Sequence, residues 1–153
     1  MAGKEFLFSM QCRYQGDENA VRSLRVYREQ EGTRIPFELD LITPGFEIFC
    51  YAIFTCQHTY LRLNCAERGL LLDCVQGEMH LSTDENWLLQ RQFLSFSMRL
   101  RSGDPSADTV DYLVERMQRC PVSSNLKPIG DNQIMLAFVD SCEAGDARQQ
   151  TAR

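Results

Sequence analysis

Residues 43–69, "TPGFEIFCYAIFTCQHTYLRLNCAERG", decide how the rest of the chain is read. Thr43 is a residue type suited to an N-cap, Pro44 suits the first helical position and Glu47 falls in the first turns. Gly69 stands where a helix of this length would end, at the C′ position. The spacing predicts one long helix over 43–68. Phe49, Ile53, Cys56, Tyr60 and Leu63 recur at three- or four-residue steps and form an apolar stripe, widened by Phe46, Cys50 and Phe54. A helix apolar over most of its girth is expected at the centre of a core, with Cys56 in the middle of the stripe.

On the N-terminal side, "EFLFSMQCRY" (5–14) and "VRSLRVYREQ" (21–30) alternate as strands about the turn "QGDEN". "IPFELDLI" (35–42) predicts a third, with Phe37, Leu39 and Leu41 on one face and Pro36 marking an edge or a start. On the C-terminal side, "LLLDCVQGEMHLS" (70–82) and a segment within 87–102 predict two more strands. Asp104 as N-cap and Pro105 at the first helical position open a second helix. Its apolar face is Val110, Leu113, Val114 and Met117, and Pro121 stops it. "QIMLAFV" (133–139) predicts the last strand. The order is strands, long helix, two strands, helix, strand, which argues for an α+β domain over residues 1–140. The polar, aperiodic stretch 141–153 is expected to be a disordered tail.

The bulk properties are those of an ordinary globular domain. The chain has 153 residues, 44% hydrophobic and 24% charged, enough for one core. A net charge of −5 argues against nucleic acid and anionic membranes as partners. Arginine outnumbers lysine 14 to 2, which favours bidentate ion pairs. The start "MAGKEFLFSM" lacks a signal-peptide pattern, and the longest apolar stretch, 46–56, is broken by Glu47. The expected location is therefore the cytoplasm, where thiols stay reduced and serve packing, catalysis or metal binding. Seven cysteines, an odd number, exclude a complete intrachain disulfide framework.

Which cysteines carry chemistry is the remaining question. Cys12 and Cys74 fall in strands, and Cys142 in the tail, where a fixed redox geometry is hard to hold. Cys65 is nine residues beyond Cys56 and so on the opposite helix face. Cys56 and His58 are two apart and do not face each other, which opposes a Cys–His nucleophile pair. No C-x-x-C occurs and no metal site is expected. Cys120 stands directly before Pro121 in "RMQRCPVSSN" (116–125), at an element end.

The helix segment followed by "YLVERMQRCPVSSNL" (112–126) resembles the OsmC/Ohr family of thiol-dependent hydroperoxide reductases. The resemblance rests on the Pro–Glu entry to a cysteine-bearing helix, on its "AERxG" end (Ala66–Gly69), and on Cys-Pro-x-Ser at Cys120–Ser123. It spans roughly residues 24–139 in the same order of elements. It implies an antiparallel sheet packed around long central helices, and an intertwined homodimer. It further implies a peroxidase that reduces organic, lipid-like hydroperoxides without a cofactor. Cys56 would become a sulfenic acid and then a disulfide with Cys120, which a dithiol, such as a lipoylated protein, would reduce.

The spacing departs from the family pattern, because twelve residues separate Pro44 from Cys56, one more than usual. Glu47, the counterpart of the family glutamate, stands nine residues before Cys56, on the far side of a continuous helix. It serves only if the helix starts later, or across a subunit interface. Arg34 in "EGTRIPF" is the best-placed counterpart of the family arginine, with Arg28 the alternative. Chemistry requires such a cation, because the thiolate is the reactive form and burial opposes it. A guanidinium about 4 Å away is worth roughly 4 kcal/mol at an effective dielectric of ~20, enough to lower a thiol pKa by about 3 before desolvation. The second reading is a non-catalytic domain of this fold that binds a small apolar ligand or a protein, its activation lost with the altered helix entry.

Overall fold

A computed structural model describes residues 2–126 and 130–142. Three strands come first: β1 (Glu5–Gln15), β2 (Ala20–Gln30) and the short β3 (Thr33–Pro36). The long helix α1 (Gly45–Glu67) follows, then β4 (Leu71–Thr83), β5 (Leu89–Ser102), helix α2 (Ala107–Gln118), the single turn α3 (Pro121–Ser124) and β6 (Asp131–Phe138). The strands form one sheet in the order β3-β2-β1-β4-β5-β6. Every pairing is antiparallel except β5 with β6, so the α+β class holds but the sheet is mixed rather than antiparallel. The reason is connectivity: α2 and α3 cross over between β5 and β6, and such a crossover returns the chain parallel.

The core lies between one sheet face and α1. Phe8 and Met10 of β1, Met79 of β4 and Phe96 of β5 point toward Ile53, Phe54 and Leu61 of the helix. Gly77 sits between Met10 and Phe96 in the strand register. A Cβ there would lie 2.8 Å from Met10 Cγ and 2.9 Å from Phe96 Cε1, so only glycine lets both side chains close over β4. α2 adds Leu113 and Met117, both fully buried, from the predicted apolar face.

The helix ends as expected. Leu70 N–H reaches back to Cys65 O and Gly69 N–H to Ala66 O, with Gly69 at φ +71°. Its start is one residue later than predicted. Pro44 occupies the cap position, and the Thr43 hydroxyl is engaged with Asp40 instead. α2 likewise starts later, capped by Ser106, whose hydroxyl accepts from Thr109 N–H at 3.2 Å, and not by Asp104.

Two predicted segments differ more. The strand expected at 35–42 is β3, which stops at Pro36; only the Phe37 N–H still reaches Val26 O. β3 is an edge strand, and beyond it Leu41 and Ile42 are exposed, so no core faces their alternation. The second difference is at Cys142, placed in the loose tail by sequence but disulfide-bonded to Cys74 of β4 with Cα atoms 6.3 Å apart. The rest of the expected tail, 143–153, lies outside the described residues. Among the described residues no helix is long and apolar enough to cross a membrane.

Candidate active site

The face that α1 buries is not the predicted stripe. Ile53 is on it, but so are Cys50, Phe54, Gln57, His58, Leu61, Asn64 and Cys65, while Cys56 is half-buried and Leu63 is exposed. The polar members are accommodated because each finds a partner: His58 the Tyr14 hydroxyl, Asn64 the Tyr60 carbonyl and Arg116, Gln57 the Ser123 hydroxyl. Cys56 therefore lies at the border of the core, where it meets α3. That position leaves a thiol reachable from outside, as a nucleophile requires.

α3 brings Cys120 to the same place. Pro121 ends α2 and starts the new turn at its first position, where a missing N–H costs nothing. Cys120 becomes the N-cap, fully buried, and its sulfur accepts the Ser123 N–H at 3.3 Å. The Cys56 thiol stands close enough to the Cys120 thiol for each to feel the other's charge, and the next residue, Gln57, faces Cys120 Sγ at 3.6 Å. Burial pushes the Cys56 thiol up, the Val122 N–H pulls it down, and the hydrogen bond and charge of Cys120 push it up again; the net direction is upward. Among the described residues no arginine is one of these influences.

The strand register explains where the candidate cations went. Side chains alternate faces along a strand. Arg28 is paired with Phe8, on the core face, and Arg34 with Glu29, on the outer face. Arg34 consequently lies across the sheet from α1, in a cavity of about 470 Å³ that Glu29, Glu78 and Phe93 also line. Arg28 instead meets Glu47, with Nη1 2.5 and 2.6 Å from the two carboxylate oxygens. This ion pair, mostly buried at Glu47, lines two smaller cavities near the start of α1. Within one chain the structure brings Cys56 to Cys120 and Arg28 to Glu47, but not one pair to the other.

The sequence marks Gln57 only as half of a polar pair with His58 after the helix cysteine, and gives it no role. Gln57 is 1% exposed, its Nε2 donates to Ser123 Oγ at 2.6 Å and faces Cys120 Sγ at 3.6 Å, and its Oε1 has no partner among the described residues. The available signal was a glutamine four residues from both Ile53 and Leu61, hence on their face. Among the described residues no three His, Cys, Asp or Glu side chains stand together as metal ligands.

The sequence matches no protein-family model and no curated protein. Solved structures do match. A hypothetical protein from Aquifex aeolicus VF5 aligns with a TM-score of 0.53 at 10% identity, over 85% of this chain and 94% of that one. A "putative osmotic stress induced and detoxification response protein" from Psychrobacter arcticus 273-4 aligns at 0.50 and 11%, over 91% and 96%. An OsmC-like hydroperoxide resistance protein from Jannaschia sp. CCS1 aligns at 0.49 and 16%, over 79% and 85%. The first two carry the comparison, and at such identities it concerns the fold alone. The chain has an OsmC-like fold.

Proposed function

We propose that the protein is a thiol-dependent peroxidase that reduces organic hydroperoxides through Cys56 and Cys120. The observation that carries this reading is the meeting of these two thiols, remote in sequence, with one half-exposed and the other fully buried. The Cys56 thiolate attacks the O–O bond, an alcohol leaves, and Cys56 becomes a sulfenic acid. Cys120 then condenses with it, releasing water and closing a disulfide. An external dithiol, such as a lipoylated protein, regenerates both thiols. Leu, Phe and Tyr side chains around α1 suit an apolar peroxide better than hydrogen peroxide.

Thiolate formation is the demanding step, since the surroundings of Cys56 in one chain push its thiol up. A homodimer answers that demand. Ile48 and Leu63 of α1 and the segment with Leu41 and Ile42 are exposed apolar surface. Burying these against a second copy would let that copy's Arg28–Glu47 pair supply the missing cation. In this reading Glu47 holds the guanidinium fork and Arg28, rather than Arg34, activates the sulfur. The cytoplasm suits the free thiols Cys12, Cys50, Cys56, Cys65 and Cys120, whereas the Cys74–Cys142 bond is a feature of more oxidising surroundings.

One equivalent of cumene hydroperoxide should convert Cys56 and Cys120 to a disulfide visible by mass spectrometry. Cys56→Ser should lose at least a hundredfold in peroxide consumption. Consumption at the wild-type rate by that variant would exclude the reading. The second reading, a non-catalytic binding domain, is favoured by the upward push on the Cys56 thiol, to which no cation contributes among the described residues, and the same assay separates the two.

A further inference from the structure

The amide of Gln57 is costly where it stands. Its neighbours one helical turn away on either side are Ile53 and Leu61, both with zero exposure, and an aliphatic side chain would suit this position better. A buried amide oxygen without a partner costs about 1–3 kcal/mol. Turning the amide over does not remove the cost. Oε1 would then accept from Ser123 and Cys120, and the NH2 group would be the one left unpaired. The resting protein therefore gains little from this side chain's polarity, while its amide touches the buried sulfur of the thiol pair.

We propose that Gln57 is a positioning residue for disulfide formation, holding Ser123 and the Cys120 sulfur for attack on oxidised Cys56. The inference rests on the peroxidase reading above. In the resting state the Cys120 thiol donates to Ser123 Oγ at 3.2 Å, while Gln57 Nε2 donates to the same oxygen from the other side. When Cys120 gives up its proton, the Ser123 hydroxyl can rotate and donate to the sulfur while still accepting from Gln57. Gln57 Nε2, Ser123 N–H and Ser123 Oγ–H then all point at the anion.

The thiolate attacks the Cys56 sulfenic sulfur. The S–S bond forms and the S–O bond breaks. The leaving hydroxide takes the proton that Cys120 released, giving water. Cys120 is oxidised and Cys56 is reduced by the same electron pair. Without the amide, Ser123 loses its anchor, the anion loses a donor, and the sulfenic acid waits long enough to meet a second peroxide.

The two steps are separable in a single turnover with one equivalent of cumene hydroperoxide, quenched at intervals. Dimedone trapping reads the Cys56 sulfenic acid and non-reducing mass spectrometry reads the disulfide. Gln57→Leu should form sulfenic acid within twofold of the wild-type rate, but close the disulfide at least tenfold more slowly. With excess peroxide it should accumulate Cys56 sulfinic acid. Ser123→Ala should shift the same step in the same direction, and it decides the matter if Gln57→Leu does not fold. Disulfide closure at the wild-type rate in the folded variants would overturn the inference, as would equal slowing of both steps, which marks mere structural damage. If wild-type protein gives neither sulfenic acid at Cys56 nor a Cys56–Cys120 disulfide, the peroxidase reading fails first and this inference falls with it.

Discussion

His58, next to Gln57 on the buried face of α1, couples the core to pH. Its ring shares a hydrogen bond with the Tyr14 hydroxyl and lies against Phe96. Burial, helped by the nearby Arg62 charge, lowers its pKa to about 4. A histidine in the unfolded chain titrates near ~6.5, so between these values the unfolded state binds a proton that the folded state refuses. Stability should therefore fall as pH drops from about 6.5 toward 4, by up to about 3 kcal/mol. Urea midpoints at pH 7.5 and 4.5 measure it, with His58→Gln as the control that lacks this dependence. Equal pH slopes for the two proteins would refute the assignment. At this scale the two candidate thiols could be singled out in the sequence, because Cys-Pro-x-Ser and the helix cysteine are local patterns. Gln57 and His58 could not be, because a buried polar residue makes sense only with its partner, and Ser123 and Tyr14 are remote in the chain.

Elements follow the same division. The end of α1 was legible because Gly69 and its backbone bonds are local; the extent of β3 was not, because nothing within 35–42 shows that its neighbours run out at the sheet edge. The choice between Arg28 and Arg34 is the sharpest case. A shift of one residue in strand pairing reverses the face of every side chain. β2 and β3 place Arg28 toward the helix and Arg34 toward the outside. Gly77 is where the packing of elements can be tested. Gly77→Ala introduces a methyl group into the space that Met10 and Phe96 fill and should cost about 1–3 kcal/mol in chemical denaturation, with the fold retained. An unchanged midpoint would show that the three strands are less tightly closed over β4 than described.

For the whole molecule the Cys74–Cys142 bond matters most, since it ties the segment after β6 to β4 across a separation of 68 residues. Closing a loop of that size removes about 4 kcal/mol of unfolded-chain entropy. In a Cys56→Ser, Cys120→Ser background, dithiothreitol should lower the unfolding free energy by roughly that amount. A midpoint indifferent to reductant would show that the bond does not form in solution. The proposed homodimer belongs to this scale too. Light scattering should give twice the mass of the 17.6 kDa chain, and Arg28→Ala should slow Cys56 oxidation at least tenfold while Arg34→Ala leaves it within twofold.

By itself the sequence determined the α+β class, the long helix and its end, the order of elements, and the two sulfurs of the candidate site. All are written in short-range periodicity, in glycine and proline, or in a four-residue motif. Only the tertiary structure decided the parallel last strand, the side of the sheet on which each arginine stands, the partner of Cys142 and the burial of Gln57. These depend on strand register and on which faces meet, and both are set by the whole core at once rather than by any single stretch of chain.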